Sequence, residues 1–207
     1  MIYKIITFGF LLFANFVFCQ DQEATILFND STTVDGFGSI NKNKIYFRAS
    51  LDDKPDIWIS DIVEGITFLG FESTVKYEYV SLDEFSHPEP QLLEVVENGN
   101  VTLYVRARKI VNVSSNSFNS NNSNISIIKS VSNDVIPFQS AKEDGSVEIF
   151  VKRANEKFPT SLNWAFYKRA AKYFSDCEVL SKKIVKGEFS KNKILEIVQY
   201  YNDICAD

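Results

Sequence analysis

The chain has little of what enzymes and metal sites use most. Its 207 residues include one histidine, His87, and three cysteines. Histidine is the usual general base and metal ligand near neutral pH. The two prolines that follow His87 make Ser86–Pro90 an extended loop, in which a histidine is typically a surface residue. With one histidine and no clustered cysteines, the sequence disfavours both a zinc site and a Ser-His-Asp triad.

Three short motifs are also missing. There is no Gly-X-Ser-X-Gly nucleophile elbow, no glycine-rich phosphate loop and no Cys-X-X-Cys pair. Asp35-Gly-Phe-Gly38 is better explained by strand geometry, because glycines inside a strand mark a bulge or a bend. We therefore predict no catalytic residue, no cofactor and no metal.

No long hydrophobic run follows residue 19. Before it, Lys4 precedes an almost wholly apolar stretch from Ile5 to Phe18, and polarity returns at Gln20. A positive start, a short apolar stretch and a small residue at the cut are typical of a signal peptide. Spanning a bilayer takes roughly 20 apolar residues. The sequence thus predicts a cleaved signal peptide over 1–19, a periplasmic or secreted protein, and no membrane span after cleavage.

Cys19 has two interpretations. It is either the small residue at an ordinary cleavage site or the lipid-carrying first residue of a lipoprotein. Lipoprotein processing requires a small residue just before the cysteine, and Phe18 is bulky. This favours the ordinary cleavage site.

Cleavage leaves Cys177 and Cys205 as an even pair. Cys177 begins the second predicted helix and Cys205 ends the third. The short connection makes these helices antiparallel neighbours, which brings the two cysteines together. Because exported proteins meet an oxidising compartment, we predict a Cys177–Cys205 disulfide. The alternative is two buried free thiols.

Residues 20–156 have the pattern of a β-rich region. In Val75–Val80, the side chains of Val75, Tyr77 and Tyr79 share one face. Asn98-Gly99 predicts a hairpin turn in which both central residues have positive φ. The Asn- and Ser-rich stretch 112–124 predicts a disordered loop.

Residues 157–207 change to a helical period, with three helices. Ser175–Glu178 fits a capping box, and Gly187 is a helix stop. The predicted buried stripes are Leu162, Phe166, Ala170, Tyr173 and Phe174 in the first helix, Cys177, Leu180 and Ile184 in the second, and Ile194, Ile197, Val198, Tyr201 and Ile204 in the third. The predicted fold is α+β: an antiparallel sheet or small barrel, followed by a three-helix segment.

Charge is uneven along the chain. The net charge is −5, but residues 21–100 carry 16 acidic and 5 basic side chains, whereas residues 150–207 carry 11 basic and 7 acidic ones. These are either two solvated faces or two parts that attract each other. A mildly basic tail on an acidic body disfavours nucleic-acid binding, which needs a concentrated basic patch.

Two groups of carboxylates are candidate sites. Asp52, Asp53 and Asp56 crowd one loop, but their order is not that of a calcium loop, which favours a solvated acidic turn. Glu78, Asp83 and Glu84 lie in the β region. Paired carboxylates can hydrolyse glycosides without histidine, so a carboxylate-dependent hydrolase stays open.

The C-terminal run resembles the tail of a group of small exported proteins from Bacteroidota. The likeness is carried by Phe166–Cys177, Leu180–Ile184 and Ile197–Cys205. Segments like Ala-Thr-Ile-Leu-Phe-Asn-Asp at Ala24–Asp30, Lys76–Val80 and Leu92–Val96 extend it over most of the mature chain. None of these segments is catalytic. The resemblance implies export and architecture, and it assigns no functional residue.

Two functions follow as expectations. The first is an exported, non-enzymatic binding or envelope-associated protein whose partner is an unidentified envelope or extracellular molecule. Its binding surface would be a sheet face carrying Tyr77, Tyr79 or Tyr104, although a core position is favoured for each of the three. The second is a carboxylate-dependent hydrolase of envelope or polysaccharide material, which requires two facing carboxylates in a cleft.

Overall fold

A computed structural model describes residues 21–70, 74–83, 88–116, 125–135, 137–138 and 145–205. The predicted signal peptide with Cys19 lies outside these described residues, and so do Glu84 and His87.

The described residues form eleven strands and three α-helices. The strands are β1 Gln22–Phe28, β2 Thr33–Asn41, β3 Lys44–Arg48, β4 Asp56–Trp58, β5 Val63–Leu69, β6 Thr74–Val80, β7 Gln91–Glu97, β8 Val101–Asn116, β9 Ile125–Val135, β10 Gly145–Arg153 and β11 Thr160–Ser161. The helices are α1 Phe166–Tyr173, α2 Glu178–Val185 and α3 Ile194–Tyr200. A 3₁₀ turn, Lys191–Lys193, precedes α3, and a π-helical turn, Tyr201–Cys205, follows it. None of the described helices is long and apolar enough to cross a bilayer.

The strands form one antiparallel sheet in the order β11-β10-β8-β7-β6-β5-β1-β2-β3-β4, with β9 paired to β8 off this path. The sheet has β11 at one edge and β4 at the other. Among the described strands, no pairing joins these two edges. The α+β class is confirmed, with an open antiparallel sheet followed by a helical segment. The barrel-like first part is not formed by the described strands.

Two large apolar clusters hold the molecule together, and a smaller third one is formed by Val80, Leu82, Leu93, Tyr104 and Phe150. In β8, Val101, Leu103 and Val105 alternate with side chains on the opposite face, as a strand requires, and all three are fully buried. They form the helix-side core with Ile149 and Val151 of β10 and with the buried faces of the helices. The strand-side core lies at the other end of the sheet and consists of Ala24, Ile26, Ile45, Phe47, Val63, Ile66, Phe68, Tyr77 and Leu92.

The first helix begins later than predicted. Leu162 is fully buried as expected, but it lies before α1. Its N–H donates to the Ile149 carbonyl at 2.9 Å, which continues the pairing of β11 with β10. A last strand therefore lies inside the segment predicted as helical from residue 157.

The second helix ends as predicted but begins differently. Gly187 has a φ of 75°, and its N–H donates to the Ile184 carbonyl while the Glu188 N–H reaches Lys183, which is a Schellman stop. The capping box is wrong, because Cys177 is the N-cap and makes no side-chain cap. Ser175 belongs instead to the end of α1, where its N–H donates to the Lys172 carbonyl.

The third helix confirms four of its five predicted core residues. Ile194, Ile197, Val198 and Tyr201 are buried, but Ile204 is 62 % exposed. The chain changes to π-helical winding at Tyr201. Because this winding takes more residues per turn, it moves Ile204 out of the α-helical stripe.

The β7–β8 hairpin is confirmed, but its turn is not of the predicted type. Among the described glycines only Gly187 has positive φ, so Gly99 does not adopt the backbone that an Asn-Gly turn favours. Gly99 instead allows a close approach: a Cβ there would lie 2.5 Å from the side-chain nitrogen of Asn202. The strand also extends further than predicted, because β8 pairs with β9 as far as Asn116. Residues 112–116 are thus strand, and 117–124 lie outside the described residues.

Candidate functional site

The sheet face predicted to bind a ligand is part of the core. Tyr77 is 3 % exposed and Tyr104 is 8 % exposed. Tyr79 packs against the strand-side core, and its hydroxyl donates to the carbonyls of Asn43 and Trp58, each at 3.1 Å. The core position favoured by the sequence is therefore confirmed for Tyr77 and Tyr104, and neither presents a binding surface. Tyrosine has a large apolar ring, so a strand pattern alone does not separate a core tyrosine from a surface one.

Of the predicted carboxylates, Glu78 and Asp83 lie among the described residues and Glu84 does not. Glu78 forms an ion pair with Lys76 at 2.6 Å and accepts the Tyr104 hydroxyl at 3.1 Å. Burial, together with the charge of Glu78, raises the pKa of Tyr104 well above its usual value, so this hydroxyl stays a proton donor. Neither Glu78 nor Asp83 lines the cleft described below.

The acidic loop around Asp53 is organised by its own backbone. Asp53 accepts the Ser50 N–H at 3.1 Å, and the Arg48 guanidinium donates to the Leu51 and Asp53 carbonyls. Asp56 lies on β4 rather than in this turn. Across the described part of the chain, no three His, Cys, Asp or Glu side chains are grouped so as to hold a metal ion.

The cysteines meet as predicted. Cys177 and Cys205 form a disulfide with a Cα–Cα distance of 5.6 Å. It joins the start of α2 to the π-helical turn after α3. The bond fixes two segments that both pack on the helix-side core.

A polar cleft lies where β10 ends beside α1, and we call it the basic cleft. Its volume is about 610 Å³, and its lining residues are Arg153, Thr160, Arg169, Lys172, Tyr173, Ser175 and Asp176. Arg153 is the last residue of β10, and Thr160 is the first of β11. The volume is in the range of small-molecule sites, about 300–1,000 Å³.

Helical spacing brings the α1 residues to the cleft. Arg169, Lys172 and Tyr173 are three and four residues apart, so they lie on one side of α1. Ala170 and Phe174 are fully buried against the helix-side core. Packing of the apolar stripe thus fixes the orientation of α1 and turns its basic stripe toward the cleft.

Arg153 organises the inner wall of the basic cleft. Its guanidinium donates to both carboxylate oxygens of Asp176, at 2.9 and 3.0 Å, and to the Tyr173 carbonyl at 3.0 Å. It also lies over the Tyr173 ring, 4.6 Å from the centroid. Asp176 further accepts the Tyr201 hydroxyl at 2.5 Å. The one carboxylate lining the cleft is therefore already compensated.

The phenols beside Arg153 stay protonated. Burial and a hydrogen bond to Glu156, 2.8 Å from the Tyr173 hydroxyl, raise the pKa of Tyr173 well above its usual value. Burial and the hydrogen bond to Asp176 likewise raise the pKa of Tyr201. Neither phenol supplies a general base near neutral pH.

Two cations of the basic cleft have no partner within the described structure. The exposed side chains of Arg169 and Lys172 make no hydrogen bond or ion pair with any described residue. Elsewhere in the helical segment, Lys182 pairs with Glu178 at 2.6 Å and Lys193 with Glu196 at 3.6 Å. The cleft therefore carries an excess of positive charge in a chain whose net charge is −5.

A second, smaller cleft of about 380 Å³ lies beside the β2–β3 turn. Its lining includes Lys42 and Lys44 together with Asp61 and Glu89. Its charges balance, so it attracts neither sign of ligand. We therefore take the basic cleft as the candidate site.

Sequence reasoning missed the basic cleft. Arg153 reaches it from a strand, and Arg169 and Lys172 reach it from a helix that follows after a turn. The available signal was the basic pair on the polar side of α1, spaced three residues apart. Comparison with family models, with curated proteins and with solved structures found no match.

Proposed function

We propose that the protein is an exported, non-enzymatic binding module that takes an anionic ligand in the basic cleft. The observation that carries this proposal is the pair Arg169 and Lys172, two cations without described partners that line a cleft of about 610 Å³. An anion bound there would supply the missing countercharge. Arg153 and the hydroxyls of Thr160 and Ser175 would add hydrogen bonds.

The hydrolase alternative has less support. Glycoside hydrolysis by carboxylates needs two of them on opposite sides of the bond, roughly 5–10 Å apart. Asp176 is the one carboxylate lining the basic cleft, and Arg153 and Tyr201 already bind it. A binding role does not require a second carboxylate in the cleft.

Export is part of the proposal. The predicted leader over 1–19 and the resemblance to exported proteins from Bacteroidota support it, and the Cys177–Cys205 disulfide suits an oxidising compartment. The N-terminal sequence of the protein recovered from its native envelope or medium should begin at Gln20. An intact mass with an added diacylglyceryl group would instead assign Cys19 to a lipoprotein.

Anion binding is tested by calorimetric titration with pyrophosphate at low and high salt. We expect saturable binding that weakens as salt rises, because exposed charges are screened. The double variant Arg169→Gln/Lys172→Gln should lose this binding. The control Lys54→Gln/Lys186→Gln removes the same charge from exposed positions outside the cleft and should bind like the wild type. Equal losses in both variants would contradict a defined site.

A further inference from the structure

The structure exposes one tryptophan in the short segment between β11 and α1, the segment that joins Thr160 to Arg169. Trp164 is 81 % exposed, whereas the other large apolar side chains on the surface are between 42 and 68 % exposed. Leaving an indole in water forgoes the gain that burial would give it. Trp164 immediately precedes α1, the helix that carries Arg169 and Lys172.

The backbone on both sides of Trp164 is anchored. Asn163 accepts the Ile149 N–H at 2.7 Å, and the Leu162 N–H donates to the Ile149 carbonyl at 2.9 Å. Phe166 is buried in the helix-side core. The indole is thus held outward on a fixed stretch of chain, so little backbone entropy is lost when a ligand contacts it.

The residue after Trp164 has an unusual conformation. Ala165 has φ 47° and ψ 48°, in the left-handed region that costs a non-glycine residue of order 1 kcal/mol or more. Such strained residues cluster at functional sites. Here the left-handed backbone separates the anchored strand from α1, at the position that presents Trp164.

Trp164 does not itself line the basic cleft, but it lies in the chain between two residues that do, Thr160 and Arg169. The Arg169 N–H donates to the Ala165 carbonyl at 3.1 Å, so Ala165 is one helical turn before Arg169. Arg169 lines the cleft, and Thr160 lines it from the strand before Trp164.

We infer that the ligand is an acidic saccharide: a sugar that stacks on Trp164 while its carboxylate or phosphate group pairs with Arg169 and Lys172. This inference rests on the proposed function. A flat indole face suits the apolar C–H face of a sugar ring, whose hydroxyls point outward to the edges. Thr160 and Ser175 supply hydroxyls, and the cations supply the charge recognition that a neutral sugar would not need.

The lining of the cleft favours a saccharide over a protein partner. All seven of its lining residues carry a charge or a hydroxyl, and none is aliphatic. Protein interfaces centre on a desolvated apolar core. A concave polar site with one projecting aromatic ring fits a hydrated ligand that has an apolar face.

The test compares four ligands by calorimetry on the oxidised protein. Trigalacturonate carries a carboxylate on each sugar ring. Maltotriose offers rings without charge, C-terminally amidated triglutamate offers carboxylates without rings, and pyrophosphate offers charge alone. We expect trigalacturonate to bind most tightly and maltotriose not to bind measurably.

Variants separate stacking from charge. Trp164→Ala should weaken trigalacturonate binding about tenfold, the effect of one lost aromatic stack, and leave pyrophosphate binding unchanged. Trp164→Phe should restore part of the affinity. Because Trp164 is exposed, its replacement should not shift the melting temperature.

Each outcome distinguishes the saccharide inference from the proposed function. If pyrophosphate binds but trigalacturonate is indifferent to Trp164→Ala, the saccharide inference fails and the anion site stands. If triglutamate binds as tightly as trigalacturonate with the same dependence on Trp164, the partner is an acidic peptide and the inference is overturned. If none of the anions binds, both the inference and the proposed function are contradicted.

Discussion

Glu94 is a buried carboxylate at the junction of the two cores. It is 7 % exposed and accepts the Phe138 N–H at 2.7 Å and the Tyr77 hydroxyl at 3.4 Å. Burial outweighs these two hydrogen bonds and raises the pKa of Glu94 to about 7. The folded protein therefore holds a proton here at pH values where the unfolded chain has released it.

This pKa makes the free energy of unfolding depend on pH. Below about pH 4.5, Glu94 is protonated in both the folded and the unfolded state and does not lower the free energy of unfolding. Between pH 4.5 and 7, the free energy of unfolding falls as pH rises, because the unfolded chain releases this proton more readily than the folded protein does. Above pH 7 the cost stays near its full value of about 3 kcal/mol. Glu94→Gln keeps an acceptor and removes the titration. Urea unfolding should therefore show the variant gaining about 3 kcal/mol over the wild type between pH 4.5 and 7.5.

A matched control is Glu97→Gln, on the same strand at a less buried position. It should leave the pH dependence unchanged. A constant difference between Glu94→Gln and the wild type across this pH window would mean that Glu94 does not hold the proton.

Single residues were predictable where a local pattern decided their environment. Gly187 ends its helix with positive φ, and Leu180 and Ile184 are fully buried, as the helical period indicates. Trp164 lies outside the apolar stripe predicted for the first helix, and it is 81 % exposed. The left-handed conformation of Ala165 was not predictable, because alanine gives no signal for it in a sequence.

At the scale of elements, the π-helical turn is tied to the β7–β8 hairpin. The Asn202 side chain accepts the Val101 N–H at 2.9 Å and donates to the Val101 carbonyl at 3.0 Å. This amide therefore acts like one more strand residue at the start of β8. Gly99 allows the contact, because a Cβ there would come within 2.6 Å of the Asn202 Cγ.

Gly99→Ala should destabilise the fold by displacing Asn202. Two hydrogen bonds to Val101 would be lost, at about 0.5–1.5 kcal/mol each, so we expect a loss of about 1–3 kcal/mol in urea unfolding. Asn202→Ala should cost a similar amount, because Val101 is fully buried and its backbone groups would lose their partners.

The double variant Gly99→Ala/Asn202→Ala tests whether Gly99 stabilises the fold through its contact with Asn202. If Gly99 serves the Asn202 contact, Gly99→Ala should cost little in the Asn202→Ala background, so the two losses should not add. Additive losses would mean that Gly99 is needed for the turn itself.

Elements were predicted better than the contacts between them. The hairpin follows from Asn98-Gly99 and its flanking strands, but the reason for Gly99 lies about a hundred residues further along the chain, at Asn202. The disulfide was predictable because helix order and length alone bring Cys177 to Cys205. The basic cleft was not, since it needs the relative placement of β10 and α1.

At the scale of the whole molecule, one sheet carries both cores. Glu94 joins them: Phe138, whose N–H it accepts, belongs to the helix-side core, and Tyr77 belongs to the strand-side core. The strands between the cores are paired without a break from β5 through β8. We therefore expect the two cores to unfold together.

Core truncations test this cooperativity. Leu103→Ala opens a cavity in the helix-side core, and Ile66→Ala opens one in the strand-side core, each at a fully or almost fully buried position. Each should cost about 2–5 kcal/mol. We expect two circular dichroism signals, that of the tyrosines in the near-ultraviolet and that of the helices in the far-ultraviolet, to give the same melting temperature in both variants. A helix signal that survives Ile66→Ala would show two independent units.

The tie between Asn202 and Val101 also constrains when the protein can fold. A chain that leaves the ribosome or a translocation channel from its N-terminal end presents β8 long before residue 202 follows. Until then, the valines and leucine of β8 that face the helices lie uncovered, and the backbone of Val101 lacks its amide partner. Completion of the fold is thereby deferred to the release of the helical segment.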